Sequence, residues 1–338
     1  MKDVGDMKGA EDAGSAGSTG SAGRGEPETL ELPSAPGTAG LYVRAVLPKP
    51  GGGRGRPVPA RRLVLRDVAA DPGRLRRYAG VCGFAGASRL PMTYPHIVAF
   101  PLAMSLMTRR DFPLPLLGLV HIANRIDRHR PVEAGERLTY RVWAGDLRPH
   151  PKGTAFDVTA EADDGARTVW RSVSTYLRRG RAAAGPAPGA GARSGGAPSG
   201  GAPSGGAPSG GAGDPGGPVL EERWEVPGSA GRAYAAVSGD RNPIHLHPLT
   251  ARLFGFPRAI AHGMWTKARC LAALEEQLPG ACRVDVSFRA PVPLPSAVRF
   301  RAAGPAASAD DGVLWDFTLR GDGDAGREHL RGEVSLLD

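Results

Sequence analysis

Apolar and polar residues alternate in short runs through two blocks of the chain, 41–180 and 219–338. Alternation puts successive side chains on opposite faces, so such runs read as strands with one buried side. In the first block they predict strands at 41–47, 62–68, 116–128, 136–146, 154–162 and 168–178. In the second they predict strands at 221–226, 283–288, 298–303, 313–319 and 328–336. Three segments break the alternation. Residues 74–81 have helical composition. Residues 95–107 are apolar nearly all round and predict a buried helix, with Pro101 near its first turn, where a missing N–H costs little. Met264, Ala268, Leu271, Leu274 and Leu278 recur at steps of four, three, three and four, one face of a helix over 263–278 that Pro279 and Gly280 stop.

The pattern fails outside the blocks. Residues 1–40 are Gly, Ala, Ser, Glu and Asp with few large apolar side chains, and predict a disordered tail. Residues 181–218 repeat Gly-Gly-Ala-Pro-Ser in register at 195–199, 200–204 and 205–209 and predict a flexible linker. The 49 glycines and 32 prolines are unevenly spread and are densest there, so each block keeps ordinary globular composition and enough length for a core.

Charge and cysteines narrow the class. The net charge of +9 comes from Arg scattered along the chain, with no basic run interleaved with aromatics, so no nucleic-acid partner is expected. An Arg surplus also attracts an anionic ligand such as coenzyme A or a phosphopantetheine carrier. Cys82, Cys270 and Cys282 contain no C-x-x-C, which argues against a disulfide framework or a zinc site and for a reducing cytoplasm. The N-terminus has no signal-like apolar region, and no run approaches the ~18–20 apolar residues of a membrane span.

The two blocks resemble each other. Residues 78–84 align with 234–240 at an offset of 156, and 99–102 with 261–264 at 162. Pro131 aligns with Pro291 at 160, and 156–159 with 315–318 at 159. Small drifts in offset fit a diverged duplication with loop insertions. Each copy reads as strand, loop, central helix and several antiparallel strands around that helix. A single copy leaves a sheet edge open, and pairing two covers it.

The second copy carries chemistry that the first lacks. Its run Tyr234-Ala-Ala-Val-Ser-Gly-Asp240-Arg-Asn242-Pro-Ile-His245 sets a carboxylate and an imidazole five residues apart around an Asn-Pro turn, followed by Ala261-His262-Gly263-Met264. At the matching offset the first copy has Phe84, Gly86 and Arg89 in place of Asp240, Asn242 and His245, and Phe100 and Pro101 in place of His262 and Gly263. The first copy is therefore expected to be non-catalytic, its Pro101 lacking the N–H that Gly263 could offer.

This run, with the residues 288–292 that follow the second helix, resembles the signature of the MaoC-like, or (R)-specific enoyl-CoA hydratase (hydratase 2), family. The degenerate first block resembles the two-unit members, such as actinobacterial 3-hydroxyacyl-thioester dehydratases. The resemblance implies an α+β double hotdog, two strand-wrapped-helix units in one extended antiparallel sheet, with a degenerate unit at 41–180 and a catalytic unit at 219–338. It also implies reversible syn hydration of trans-2-enoyl thioesters to (R)-3-hydroxyacyl thioesters. Coenzyme A or acyl carrier protein would arrive as part of the substrate, with no separate cofactor and no metal. Such a dehydration takes a proton from Cα and protonates a departing hydroxide, work suited to two groups of different pKa on one substrate face. Asp240 is assigned to Cα and His245 to the oxygen. The Gly263 N–H, at the positive end of the central helix, is assigned to the thioester oxyanion, Asn242 to orienting the loop, and His262 and Met264 to substrate contact.

Other readings are weaker. Ser238 lacks a Gly-x-Ser-x-Gly frame, and His247, His96, His121 and Cys270 read as structural. A hotdog thioesterase and a non-enzymatic acyl-binding protein are the alternatives in function, and monomer and homodimer are both open.

Overall fold

In the computed structural model residues 27–46, 56–180, 218–304, 312–323 and 326–337 are described. The first copy contains β1 Glu28–Glu31, α1 Thr38–Val46, β2 Arg61–Ala69, α2 Pro72–Cys82, α3 Tyr94–Thr108, β3 Leu119–Arg128, β4 Arg137–Ala144, β5 Arg148–His150, β6 Gly153–Asp163 and β7 Thr168–Arg179. The second contains β8 Val219–Val226, α4 Ala230–Ser238, the single turns α5 Pro243–Leu246 and α6 Pro248–Leu253, α7 Gly263–Ala273, a 3-10 turn Glu275–Gln277, and β9 Cys282–Phe288, β10 Ser296–Ala303, β11 Val313–Gly321 and β12 Glu328–Ser335.

The strands join one sheet in the order β1-β2-β4-β6-β7-β3-β9-β12-β11-β10-β8, with β5 paired to β6. Read outward from the β3–β9 seam, the order is the same on both sides, so the duplication is a double hotdog. Pairing is antiparallel except at β1–β2, where a parallel strand is added to the edge. At the seam Arg125 meets Asp285 at 2.9 Å and Arg283 meets Asp127 at 2.7 Å, one Arg-x-Asp from each copy. These partly exposed pairs set register more than stability. Beneath them Lys267 of α7 is fully buried. Its ammonium donates to the Asn124 carbonyl (3.0 Å), Asn124 Oδ1 (2.7 Å) and the Val284 carbonyl (3.0 Å), which anchors the second helix to strands of both copies.

The equivalence of α2 and α4 is clear at their ends. Gly83 (φ 84°) and Gly239 (φ 82°) both close their helices in the left-handed region, donating to the Ala79 and Ala235 carbonyls. A left-handed residue after a helix is most readily Gly, because it has no Cβ to clash. Tyr78 and Tyr234, equivalent in the repeat, meet with ring centroids 6.1 Å apart.

Several expectations change. Residues 41–47 do not form a strand, because 38–46 is helix α1. Leu41, Val43 and Ala45 do alternate, but Thr38, Leu41, Tyr42 and Ala45 also mark one helical face, and the helix wins. The expected tail 1–40 includes the ordered strand β1 and the start of α1, while residues 1–26 lie outside the described residues, as does the linker over 181–217. Pro101 is inside α3, not in its first turn, since α3 starts at Tyr94. It is therefore no counterpart of Gly263 at a helix start. Pro101 cannot donate to the Ile97 carbonyl one turn back. Arg74 does so instead, Nη2 to oxygen at 3.3 Å. The helix expected over 263–278 ends at Ala273 and continues as the 3-10 turn. Strand β5 and helix α4 were not expected.

Candidate active site

The stretch after α4 is wound by short side-chain-to-backbone bonds of the kind Ser, Asp and Asn make in turns. The Asp240 amide donates to Ser238 Oγ at 3.1 Å, the Asn242 amide to Asp240 Oδ1 at 3.2 Å, and the Ile244 amide to Asn242 Oδ1 at 3.4 Å. Pro243 opens α5 where no amide donor is required. Asn242 thus caps the start of α5 through its side chain. Arg74, from α2 of the other copy, clamps the start of the turn. Its Nε donates to the Val237 carbonyl at 2.7 Å and its Nη2 to the Ser238 carbonyl at 3.2 Å.

His245 is held from two sides. Its Nδ1 lies 2.8 Å from the Ile260 carbonyl, which can only accept, so Nδ1 carries the proton and Nε2 of the neutral ring keeps its lone pair. Its own carbonyl is seated on Gly231 of α4, where a Cβ would come within 2.1 Å of the oxygen. His262 stacks on His245 with centroids 3.6 Å apart, and Tyr234 lies against His262 at 4.9 Å. His262 Nε2 donates to the Asp240 carbonyl at 3.0 Å, while its buried Nδ1 has no partner.

Asp240, His245 and His262 therefore converge, with ligand-type atoms within 4.8 Å of one another. The sequence spacing showed no metal cluster, yet three such groups together are of a kind that binds divalent ions. The Asp240 side chain keeps 27 % of its surface exposed against 3 % for His262, so the carboxylate reaches solvent and His262 stands behind it. Gly263 is the first residue of α7, where helix amides have no partner within the helix. Phe288 lies so close that a Cβ on Gly263 would meet its ring at 3.1 Å. Met264 is buried.

Burial and electrostatics set the protonation. Burial pushes the Asp240 pKa up, but the His262 and His245 imidazoles, the Tyr42 hydroxyl and the Asn242 amide outweigh it and hold the group below the usual carboxylate range. Burial lowers His245, against the pull of Asp240 and the Ile260 carbonyl. It lowers His262 to about 3, with His245 adding to the effect. At neutral pH the site holds one carboxylate and two neutral rings.

The sequence reading passed over Arg74 and Tyr42 and took His96 and His121 as structural. The Tyr42 hydroxyl donates to Asp240 Oδ1 at 2.6 Å. His96 and His121 of the first copy stack on each other at 6.2 Å, and His121 continues onto Tyr176 (4.8 Å) and Phe288 (5.0 Å). Burial lowers His96 to about 4 and His121 to about 3, and the Asp240 charge acts on both in the opposite sense. A bulge in β3 between His121 and Ala123 breaks the ladder there. Nothing in the local sequence marks Tyr42. The two histidines were visible but lay in the copy without the motif.

A model of the MaoC like domain matches residues 215–306, which span β8 to β10 and include Asp240, Asn242, His245, His262 and Gly263. The 3-hydroxyacyl-thioester dehydratase X of Mycobacterium tuberculosis is 35% identical over 272 residues, covering 78% of this chain and 85% of the relative. The chain belongs to the MaoC-like dehydratase family. Its MaoC-like fold extends over both copies, because a crystal structure of M. tuberculosis HtdX superposes with a TM-score of 0.64 at 33% identity, covering 82% of this chain and 100% of HtdX. The (R)-specific enoyl-CoA hydratase of Aeromonas caviae is 41% identical over 64 residues, 18% of this chain and 48% of that protein. Among the described residues no helix is long and apolar enough to cross a membrane.

Proposed function

We propose that the chain catalyses the reversible syn hydration of trans-2-enoyl thioesters to (R)-3-hydroxyacyl thioesters, delivered on coenzyme A or a carrier protein and needing no further cofactor. The observation that carries this reading is the pairing of an ionised, partly exposed Asp240 with a His245 whose free nitrogen is fixed by the Ile260 carbonyl. The dehydratase and hydratase named among its relatives support it.

The pair reacts in the form with one proton more than the resting site, taken up from solvent, so that Asp240 is ionised and His245 carries a proton on Nε2 as well as on Nδ1. In dehydration Asp240 takes the Cα proton, His245 gives its Nε2 proton to the departing oxygen, and water leaves. The proton then returns from Asp240 to His245 before the next turnover. Hydration runs the same transfers backwards. Because the two groups are coupled, they titrate as a unit. The Gly263 N–H meets the thioester oxygen as charge builds there, helped by the positive end of α7. His262 acts by fixing the Asp240 carbonyl and backing the His245 ring.

Crotonyl-CoA hydration tests the reading. The enoyl absorbance should fall with no thiol released, and the product should be the R isomer. Asp240→Asn and His245→Ala should each lose roughly 10²–10⁴-fold in kcat, and EDTA should leave the rate unchanged. Thiol release would identify a thioesterase, and loss of the rate to EDTA would identify a metal at the Asp240–His245–His262 cluster.

A further inference from the structure

We propose that Tyr42 is a positioning residue for Asp240, tying down Oδ1 so that Oδ2 exchanges the proton with substrate. The proposal rests on Asp240 being a member of the reacting pair.

Helix α1 precedes β2, and among the described residues nothing in the second copy corresponds to it. Its inward face is Thr38, Leu41, Tyr42 and Ala45, at the i, i+3, i+4, i+7 spacing of one helical stripe. Leu41 and Ala45 are buried, while Val43 on another face is exposed. Two residues of that stripe reach the Asp240 turn. The Thr38 methyl lies 3.3 Å from where a Cβ on Gly239 would be, and the Tyr42 hydroxyl bonds Asp240 at 2.6 Å. The short distance is that of a hydrogen bond to a charged acceptor.

Oδ1 thus receives two donors, the Tyr42 hydroxyl and the Asn242 amide. Oδ2 lies 3.9 Å from His262 Nε2, beyond hydrogen-bond range. A carboxylate with both oxygens free can rotate and present either. One held at a single oxygen offers the other in a fixed direction, which is the kind of orientation that speeds proton transfer. Burial, and then the neighbouring Asp240 charge, push the Tyr42 phenol far above its ordinary range, so it remains a donor at every working pH. Leu41 and Ala45 are the side chains of α1 buried in the core. The hydroxyl adds a contact specific to the carboxylate.

The test is Tyr42→Phe in the full chain, which keeps the ring and removes the donor, with crotonyl-CoA hydration followed across pH. The expected result is a kcat about tenfold lower, KM within about twofold, and the acid limb of kcat/KM moved up by about one pH unit, because the anion has lost a hydrogen bond. A variant with wild-type kcat and acid limb overturns the proposal. So does one with higher kcat and lower KM, in which the hydroxyl would be competing with substrate. A variant that melts far below wild type also overturns it, by assigning the hydroxyl to folding. Asp240→Asn is measured in parallel. If that variant stays active, the assignment of the pair fails. If it is dead while Tyr42→Phe behaves as wild type, the pair stands and only the role of Tyr42 falls.

Discussion

Gly231→Ala places one methyl group between α4 and the catalytic turn. The new carbon would sit 2.1 Å from the His245 carbonyl oxygen, 3.1 Å from its carbon and 3.3 Å from Leu294 Cδ1. Non-bonded carbons rest at roughly 3.5 Å or more, so the backbone at His245 must retreat by about 1 Å. No flexible side-chain tip is available to absorb the clash, because the obstacle is main chain. Overpacking of this kind costs about 1–3 kcal/mol, a fall of roughly 2–4 °C in melting temperature for each kcal/mol in a domain this size. Activity should suffer more, because His245 is held by the same backbone through the Ile260 bond. A misplacement of about 1 Å can cost about 10²-fold in rate. The control is Gly80→Ala on α2, where a Cβ meets nothing within 4 Å. It should leave activity unchanged and raise stability by about 0.5–1 kcal/mol. Melting curves with steady-state hydration of crotonyl-CoA decide the matter. If Gly231→Ala matches wild type in both, the carbonyl seat on α4 does not position His245.

Two other predictions concern the support of the site. Arg74→Met leaves the Ile97, Val237 and Ser238 carbonyls without their guanidinium donor. It should destabilise by about 2–3 kcal/mol, since hydrogen bonds to charged groups contribute about 1.5–3 kcal/mol each, and it should lower kcat through the loosened Asp240 turn. Urea unfolding with parallel kinetics would show both, and an unchanged midpoint would mean water replaces the arginine. Acid should weaken the fold over a defined window. Burial first of all holds His96 at about 4 and His121 and His262 at about 3 in the folded chain, against about 6.5 unfolded. Their folded values are depressed, so their contribution is complete above pH ~6.5 and is lost as pH falls toward 4 and then 3, by up to about 1.4 kcal/mol per pH unit for each deeply buried ring. The effect is smaller for His96 and His121, which keep some contact with solvent. Urea midpoints at pH 7, 5.5 and 4.5 should therefore fall in order, and His262→Gln should flatten the slope. A midpoint independent of pH would refute neutral burial of these rings.

What the sequence made legible was local. Asp240, Asn242 and His245 lie within one turn whose bonds run between neighbours, so their spacing alone fixed the arrangement. The strands were legible because a sheet with one buried face imposes alternation on every strand. Where alternation and helical spacing coexisted, in 38–46, tertiary packing decided for the helix, and Tyr42 was misplaced with it. The remaining gaps share that cause. Arg74 and Tyr42 act over separations of 163 and 198 residues, and no short-range pattern encodes such pairings.

The duplication supplies one signal that a single copy could not. At the offset of 156 that superposes Gly83 on Gly239, Gly231 corresponds to Leu75, a buried core residue of α2. The two helices share a Tyr, an Ala and a left-handed glycine cap, so the same fold requirement acts on both. It does not require glycine at this position, since the first copy packs leucine there. The glycine in α4 answers a demand found only in the second copy, the return of the His245 carbonyl onto the helix. Loss of chemistry from the first copy therefore involves the helix as well as Phe84 and Arg89. Placing Asp and His at positions 84 and 89 without also changing Leu75 would leave the imidazole with no seat on α2.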